Sequence, residues 1–114
     1  VNLRLTKPLL AATYDMLRES DPFRSWKLPP SSECRFKIVR SKKIFADFCV
    51  KGGVPVYRIS AAKHGHTVTL LASMAHEMIH HRQALTGDRE IHGPRFQKMA
   101  ARACAVHGFD HKTF

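Results

Sequence analysis

The segment His76-Glu77-Met78-Ile79-His80 sets two imidazoles four residues apart with a carboxylate directly after the first. On an α-helix, residues i and i+4 project from one side a turn apart, so His76 and His80 can share one tetrahedral zinc ion. Glu77 points beside such a metal without ligating it. A carboxylate there can take a proton from a water that zinc has acidified to a pKa of roughly 7, and return it to a leaving amine. The chemistry expected is peptide-bond hydrolysis, with Glu77 as general base and one zinc ion per chain.

Catalytic zinc needs a third protein ligand and one open position. His92 is the residue expected to supply it. It stands before Gly93-Pro94, at the entrance to a predicted helix, and the Thr86-Gly87-Asp88 turn lets the chain fold back over the metal helix. Gly93 permits a close backbone approach. Glu90 is the rival, two residues earlier and without a rigid anchor. The longer pattern H-E-x-x-H-x-x-G-x-x-H fails, because Gln83 and Thr86 occupy the glycine and histidine positions. His81 points about 100° away from His80 around the helix and is expected to be solvated or to lie behind the ligands. His64, His66, His107 and His111 carry no pattern. His107 and Tyr57 are the only, weak, candidates to assist an oxyanion.

These residues need elements to position them. A first helix is expected from Thr6 to Glu19, capped by Thr6, with Pro8 in its first turn and Leu9, Leu10, Ala12, Met16 and Leu17 as its apolar face. From Pro22 to Glu33 the pattern is lost, and Trp26 within that stretch is expected to plug the core. Three strands follow: Arg35 to Arg40, Lys43 to Val50 (Ile44, Ala46, Phe48 and Val50 on one face), and Val54 to Ser60. Lys51-Gly52-Gly53 signals a hairpin between the last two. Pro55 lacks an amide donor, which predicts an irregular or edge strand there; that stretch, to Ile59, is the expected docking edge for an added substrate strand. The metal helix spans about Thr67 to Thr86, capped by Thr67 or Thr69 and stopped by Gly87, with Leu71, Met74, Met78 and Leu85 as core stripe. A last helix runs from Pro94 to about Gly108 and buries Phe96, Met99, Ala100, Ala103 and Val106. The fold class is α+β: a small three-stranded sheet packed on an N-terminal helix, the metal helix and a C-terminal helix.

At 114 residues and 44% hydrophobic content, the chain suits a single domain, 1–114, with a core of its own. Cys34, Cys49 and Cys104 are widely spaced, odd in number and form no C-x-x-C pair, which argues against a disulfide framework or cysteine zinc ribbon. Reduced thiols, buried or half-buried, fit a cytoplasmic setting. No apolar run approaches the roughly 20 residues that span a bilayer. The chain starts at Val1 without a methionine, so a processed or trimmed start is expected. The net charge is +10, from 19 Lys and Arg against 9 acids. It favours contact with DNA or another polyanion, although the basic residues are spread along the chain.

The metal-helix motif followed by His92-Gly93-Pro94-Arg95-Phe96 resembles the SprT-like metallopeptidases, the group that includes Spartan. The order of elements upstream is similar as well. The resemblance implies a minimal zincin-like domain and a zinc-dependent protease, with His76, His80 and His92 as ligands and Glu77 as catalyst. It also implies substrates among DNA-associated proteins, since known proteases of the family cut proteins crosslinked to or bound on DNA. The chain departs from many relatives in lacking a C-terminal cysteine zinc ribbon, a module that often helps with DNA targeting; a shortened form is the expectation. Two alternatives belong to other classes: a basic nucleic-acid-binding module, and a metal-dependent hydrolase of a non-peptide substrate.

Overall fold

The computed structural model describes residues 4–43, 45–61 and 67–114. Three helices, α1 (Lys7–Arg18), α2 (Thr67–Thr86) and α3 (Pro94–His107), surround a sheet of β1 (Arg35–Val39), β2 (Ala46–Lys51) and β3 (Val54–Ser60). The architecture is α+β. No helix among the described residues is long and apolar enough to cross a membrane.

Thr6 caps α1 by accepting the Leu9 amide at 3.2 Å, and a proline in the first turn costs no hydrogen bond. Leu10, Thr13, Tyr14 and Leu17 form its buried face, the spacing of one helical stripe. Ala12 and Met16, expected on that face, are exposed; Tyr14 takes the space, donating from its hydroxyl to the Pro29 carbonyl at 2.5 Å. The segment after α1 carries two short 3-10 turns, Phe23–Ser25 and Ser31–Glu33. Trp26 is buried against Phe23, their rings 4.8 Å apart, as the expected core plug. The Asp15 carboxylate holds the second turn through the Ser31 amide and hydroxyl.

The strand order is β1-β3-β2, with β1 parallel and β2 antiparallel to β3. Gly52 and Gly53, at φ +56° and +77°, make the β2–β3 hairpin turn that only residues tolerant of positive φ enter cheaply. At Pro55 the expectation of a local edge holds: β1 begins to pair only opposite Val56, so the missing amide faces no β1 partner. The docking edge expected on the stretch to Ile59 is corrected, because from Val56 onwards β3 is the central strand. The edge strands are β1 and β2. β2 begins at Ala46 rather than Lys43, and Ile44 lies outside the described residues, as do His64 and His66.

One sheet face carries Phe36, Tyr57 and Phe48 in a single row, then Ile38, Ile59 and Ala46. α2 packs against β2, β3, α1 and α3, and Leu70, Met74, Met78 and Ile79 are buried along it. Thr69 falls inside the helix and is not its cap; the Thr67 side chain lies outside what is described. Leu85 and Val106, expected in buried stripes, are about half exposed: both lie in the last turns of their helices. Gly108 ends α3 at φ +76°. Cys34 and Cys49 are half-buried, Cys104 is buried, and all three are free thiols.

Candidate metal centre

α2 separates two kinds of work around its circumference. Met74, Met78 and His81 face the core, where His81 is buried and stacks on Phe48 at 4.9 Å. Its Nδ1 pairs with the Tyr57 hydroxyl at 2.6 Å, and burial pushes its pKa down to about 4. His81 is thus neither solvated nor placed behind the ligands, the two alternatives expected for it: the aromatic row beneath α2 leaves a flat space that an imidazole fills with its Nδ1 paired. Tyr57 is spent in the same pair and fully buried, which removes it as an oxyanion donor. His107 is tied to the end of α1, 3.0 Å from Ser20 Oγ and 2.9 Å from the Asp21 carbonyl.

The other side of α2 presents His76 and His80, with ring centroids 4.9 Å apart. The turn after α2 brings the His92 ring to 5.5 Å from His76 and 5.0 Å from His80. One ligand atom from each lies within 4.8 Å of the others, and this trio is the only such group of three among the described residues. Glu90 lies outside it. Its side chain packs over Gly93, where an added Cβ would meet Glu90 Cβ and Oε2 at 2.6 Å; the close approach expected of Gly93 is made to Glu90. Phe96, on the first turn of α3, is buried and lies 4.8–5.0 Å from all three imidazoles. It forms an apolar floor that limits how the rings can turn.

The hydrogen bonds decide which ring nitrogens are free. His76 Nδ1 lies 2.9 Å from the Phe114 main-chain oxygen. That oxygen only accepts, so Nδ1 carries the proton. His80 Nδ1 lies 2.7 Å from Gln83 Oε1. The orientation of that amide follows from its other end: Gln83 Nε2 reaches Asp88 Oδ2 at 3.0 Å and the Glu90 carbonyl at 3.1 Å, both acceptors. Oε1 therefore faces His80, and Nδ1 is again the donor. Burial pushes His76 down to about 4, with His80 adding to it, and burial lowers His80 as well. Both shifts favour the neutral ring; with the proton on Nδ1, each Nε2 then carries a lone pair, and the two lie 3.2 Å apart. Two lone pairs at that separation repel unless a cation lies between them. Two nitrogens bound at ~2.0–2.1 Å to a tetrahedral zinc lie about 3.3 Å apart. The donor set thus fits zinc, and outer partners that fix the tautomer are what such ligands ordinarily have.

No family model matches the chain, and no curated protein does.

Glu77 sits one residue from His76, 6% exposed, and borders both cavities of the site. Burial pushes its carboxyl up to about 8, and the Asp47 carboxylate adds to the effect. A cavity of about 700 Å³ opens on one side, walled by Phe45, Ala72, Phe109 and Phe114. A second of about 500 Å³ runs along β2 from Ala46 to Val50 and reaches His80 and His92. Both include Ala46, His76 and Glu77.

Sequence reasoning missed Gln83 and Phe114. Gln83 was legible in part: three residues after His80 and seven after His76, it shares their helical face. The Phe114 main-chain oxygen comes from 38 residues beyond His76, and a backbone atom leaves no mark of its type in a sequence.

Proposed function

We propose that this chain is a zinc-dependent peptidase of the SprT-like, zincin type. The observation that carries this reading is the approach of His76 Nε2 and His80 Nε2 to 3.2 Å, with His92 beside them and a buried carboxyl next to the trio. A zinc ion bound there would polarise a peptide carbonyl and acidify a water.

The chain's own residues supply the rest. Glu77 is held in a poorly solvated position that raises its affinity for a proton; a cation bound beside it would favour its carboxylate form, which is suited to take a proton and hand it to a departing amine. β2 is an edge strand whose residues Ala46 to Val50 line the cavity leading to His80 and His92. An extended polypeptide adding to that edge would pass across Glu77; this replaces β3, which is central, as the docking edge. The 700 Å³ cavity beyond, with its phenylalanine walls, suits a large apolar side chain close to the cleaved bond. Peptide hydrolysis is favoured over hydrolysis of a polyanion because an apolar cavity and a buried carboxyl border the histidines.

The test is cleavage of an unfolded, casein-like protein by the zinc-loaded chain, with and without DNA. Cleavage abolished by chelator and by Glu77→Gln, with zinc retained in that variant, supports the reading. Full activity in Glu77→Gln removes Glu77 as base. Tight, salt-sensitive DNA binding that ignores chelator, without cleavage, favours the nucleic-acid-binding alternative.

A further inference from the structure

We infer that Gln83 is a positioning residue that couples two metal ligands through one amide, holding His80 in its ligating tautomer and clamping the turn that presents His92. It makes three side-chain hydrogen bonds from a nearly buried position, 3% exposed. Oε1 accepts from His80 Nδ1 at 2.7 Å. Nε2 donates to Asp88 Oδ2 at 3.0 Å and to the Glu90 carbonyl at 3.1 Å. The Glu90 carbonyl also accepts the Gly93 amide at 2.9 Å, closing the turn in which His92 sits. Asp88 is itself held, its amide donating to the Gln83 carbonyl at 3.0 Å and its Oδ1 accepting the Glu90 amide at 3.2 Å.

His92 is exposed and has no element of its own before Pro94. Its approach to His76 and His80 therefore depends on what fixes residues 88–93. Gln83 bonds both to a ring nitrogen of the trio and to that turn, whereas Gln97 reaches only the main-chain carbonyl of His92, at 3.3 Å. An acceptor at one end and a donor at the other are both required, which a primary amide provides and neither a carboxylate nor a hydrocarbon does. The inference rests on the three-histidine site but not on the peptidase reading, so its test needs no substrate.

Two variants separate the two jobs. Gln83→Leu removes both. Gln83→Glu keeps an acceptor towards His80 but sets a carboxylate against Asp88 and the Glu90 carbonyl. Zinc affinity is measured by competition with a chelator, coordination geometry by the visible spectrum of the cobalt-loaded protein, and the His80 tautomer by nitrogen NMR of the metal-free protein. Far-UV circular dichroism checks that each variant is folded. Gln83→Leu should bind zinc about 10–100-fold more weakly, the range for loss of an outer partner, with His80 populating both tautomers. Gln83→Glu should lose affinity comparably and show an altered cobalt spectrum while keeping the Nδ1-protonated His80. Adding Asp88→Asn to Gln83→Glu restores a donor–acceptor pair at residue 88 and should recover part of the loss. If Gln83→Leu does not fold, Gln83→Glu and its Asp88→Asn partner carry the test. Wild-type affinity and an unchanged cobalt spectrum in folded Gln83→Glu would overturn the inference, as would no recovery with Asp88→Asn. Failure of the unaltered chain to bind zinc would instead sink the three-histidine site itself.

Discussion

Replacing Glu77 by glutamine should stabilise the metal-free protein at neutral pH, and the gain should vanish in acid. The Glu77 carboxyl titrates at about 8 in the folded chain against an ordinary 4.5. Between those values the unfolded chain is ionised at this position and the folded chain is not, so the unfolded state binds fewer protons. Stability present below pH 4.5 is therefore lost as pH rises towards 8. At pH 7 the loss spans roughly 2.5 pH units at about 1.4 kcal/mol each, about 3.5 kcal/mol, discounted to about 2–3 because the carboxyl borders two open cavities and is not wholly shielded. Glutamine has nearly the same shape and no charge to bury. Urea unfolding of both proteins, in chelator at pH 4 and pH 7, measures the difference. The Glu77→Gln protein should gain about 2–3 kcal/mol over the parent between the two pH values. Zinc should shrink the gain, since a nearby cation favours the carboxylate. An equal difference at both pH values, or a loss at pH 7, would show that Glu77 is well solvated and has no special proton affinity.

Other outcomes follow from the same geometry. The His81 contribution runs opposite to that of Glu77: burial holds His81 neutral with its pKa down at about 4, so from pH 6.5 towards 4 the unfolded state binds more protons at this residue and stability is lost there; in the Glu77→Gln background, His81→Phe should flatten that part of the stability profile. Tyr57→Phe strands His81 Nδ1 in the core and should cost about 1–3 kcal/mol in urea unfolding without changing zinc stoichiometry. Ala72→Trp should fill the cavity lined by Phe109 and Phe114; in a peptide-library cleavage assay it should cut turnover of substrates with bulky apolar residues near the scissile bond more than the rest, with zinc affinity kept.

The parts of this molecule that local pattern can express were legible in the sequence. The spacing of His76 and His80, the glycines of the 52–53 turn and the caps of α1 and α3 are rules about neighbours, and the helices and strands fell within a few residues of their expected bounds. Strand order is different. Nothing local in Val54–Ser60 says that β1 will return to pair with it from the far side, and Pro55 pointed towards an edge. The fate of His81 depended on an aromatic row assembled from two strands and α1, with Tyr14, Phe48 and Tyr57 around the ring. Exposure of Met16, Leu85 and Val106 shows the limit of periodicity, which marks a face but not how far the neighbouring element extends.

Elemental analysis of the purified chain alongside His76→Ala, His80→Ala and His92→Ala variants tests most directly whether the three imidazoles share a cation. One zinc per unaltered chain is expected. Folded His92→Ala should weaken binding by more than the roughly 10–100-fold that follows loss of an outer partner, while loss of either helix histidine should abolish stoichiometric binding. A chain that takes up no zinc, or three variants that each retain it at full affinity, would contradict the account.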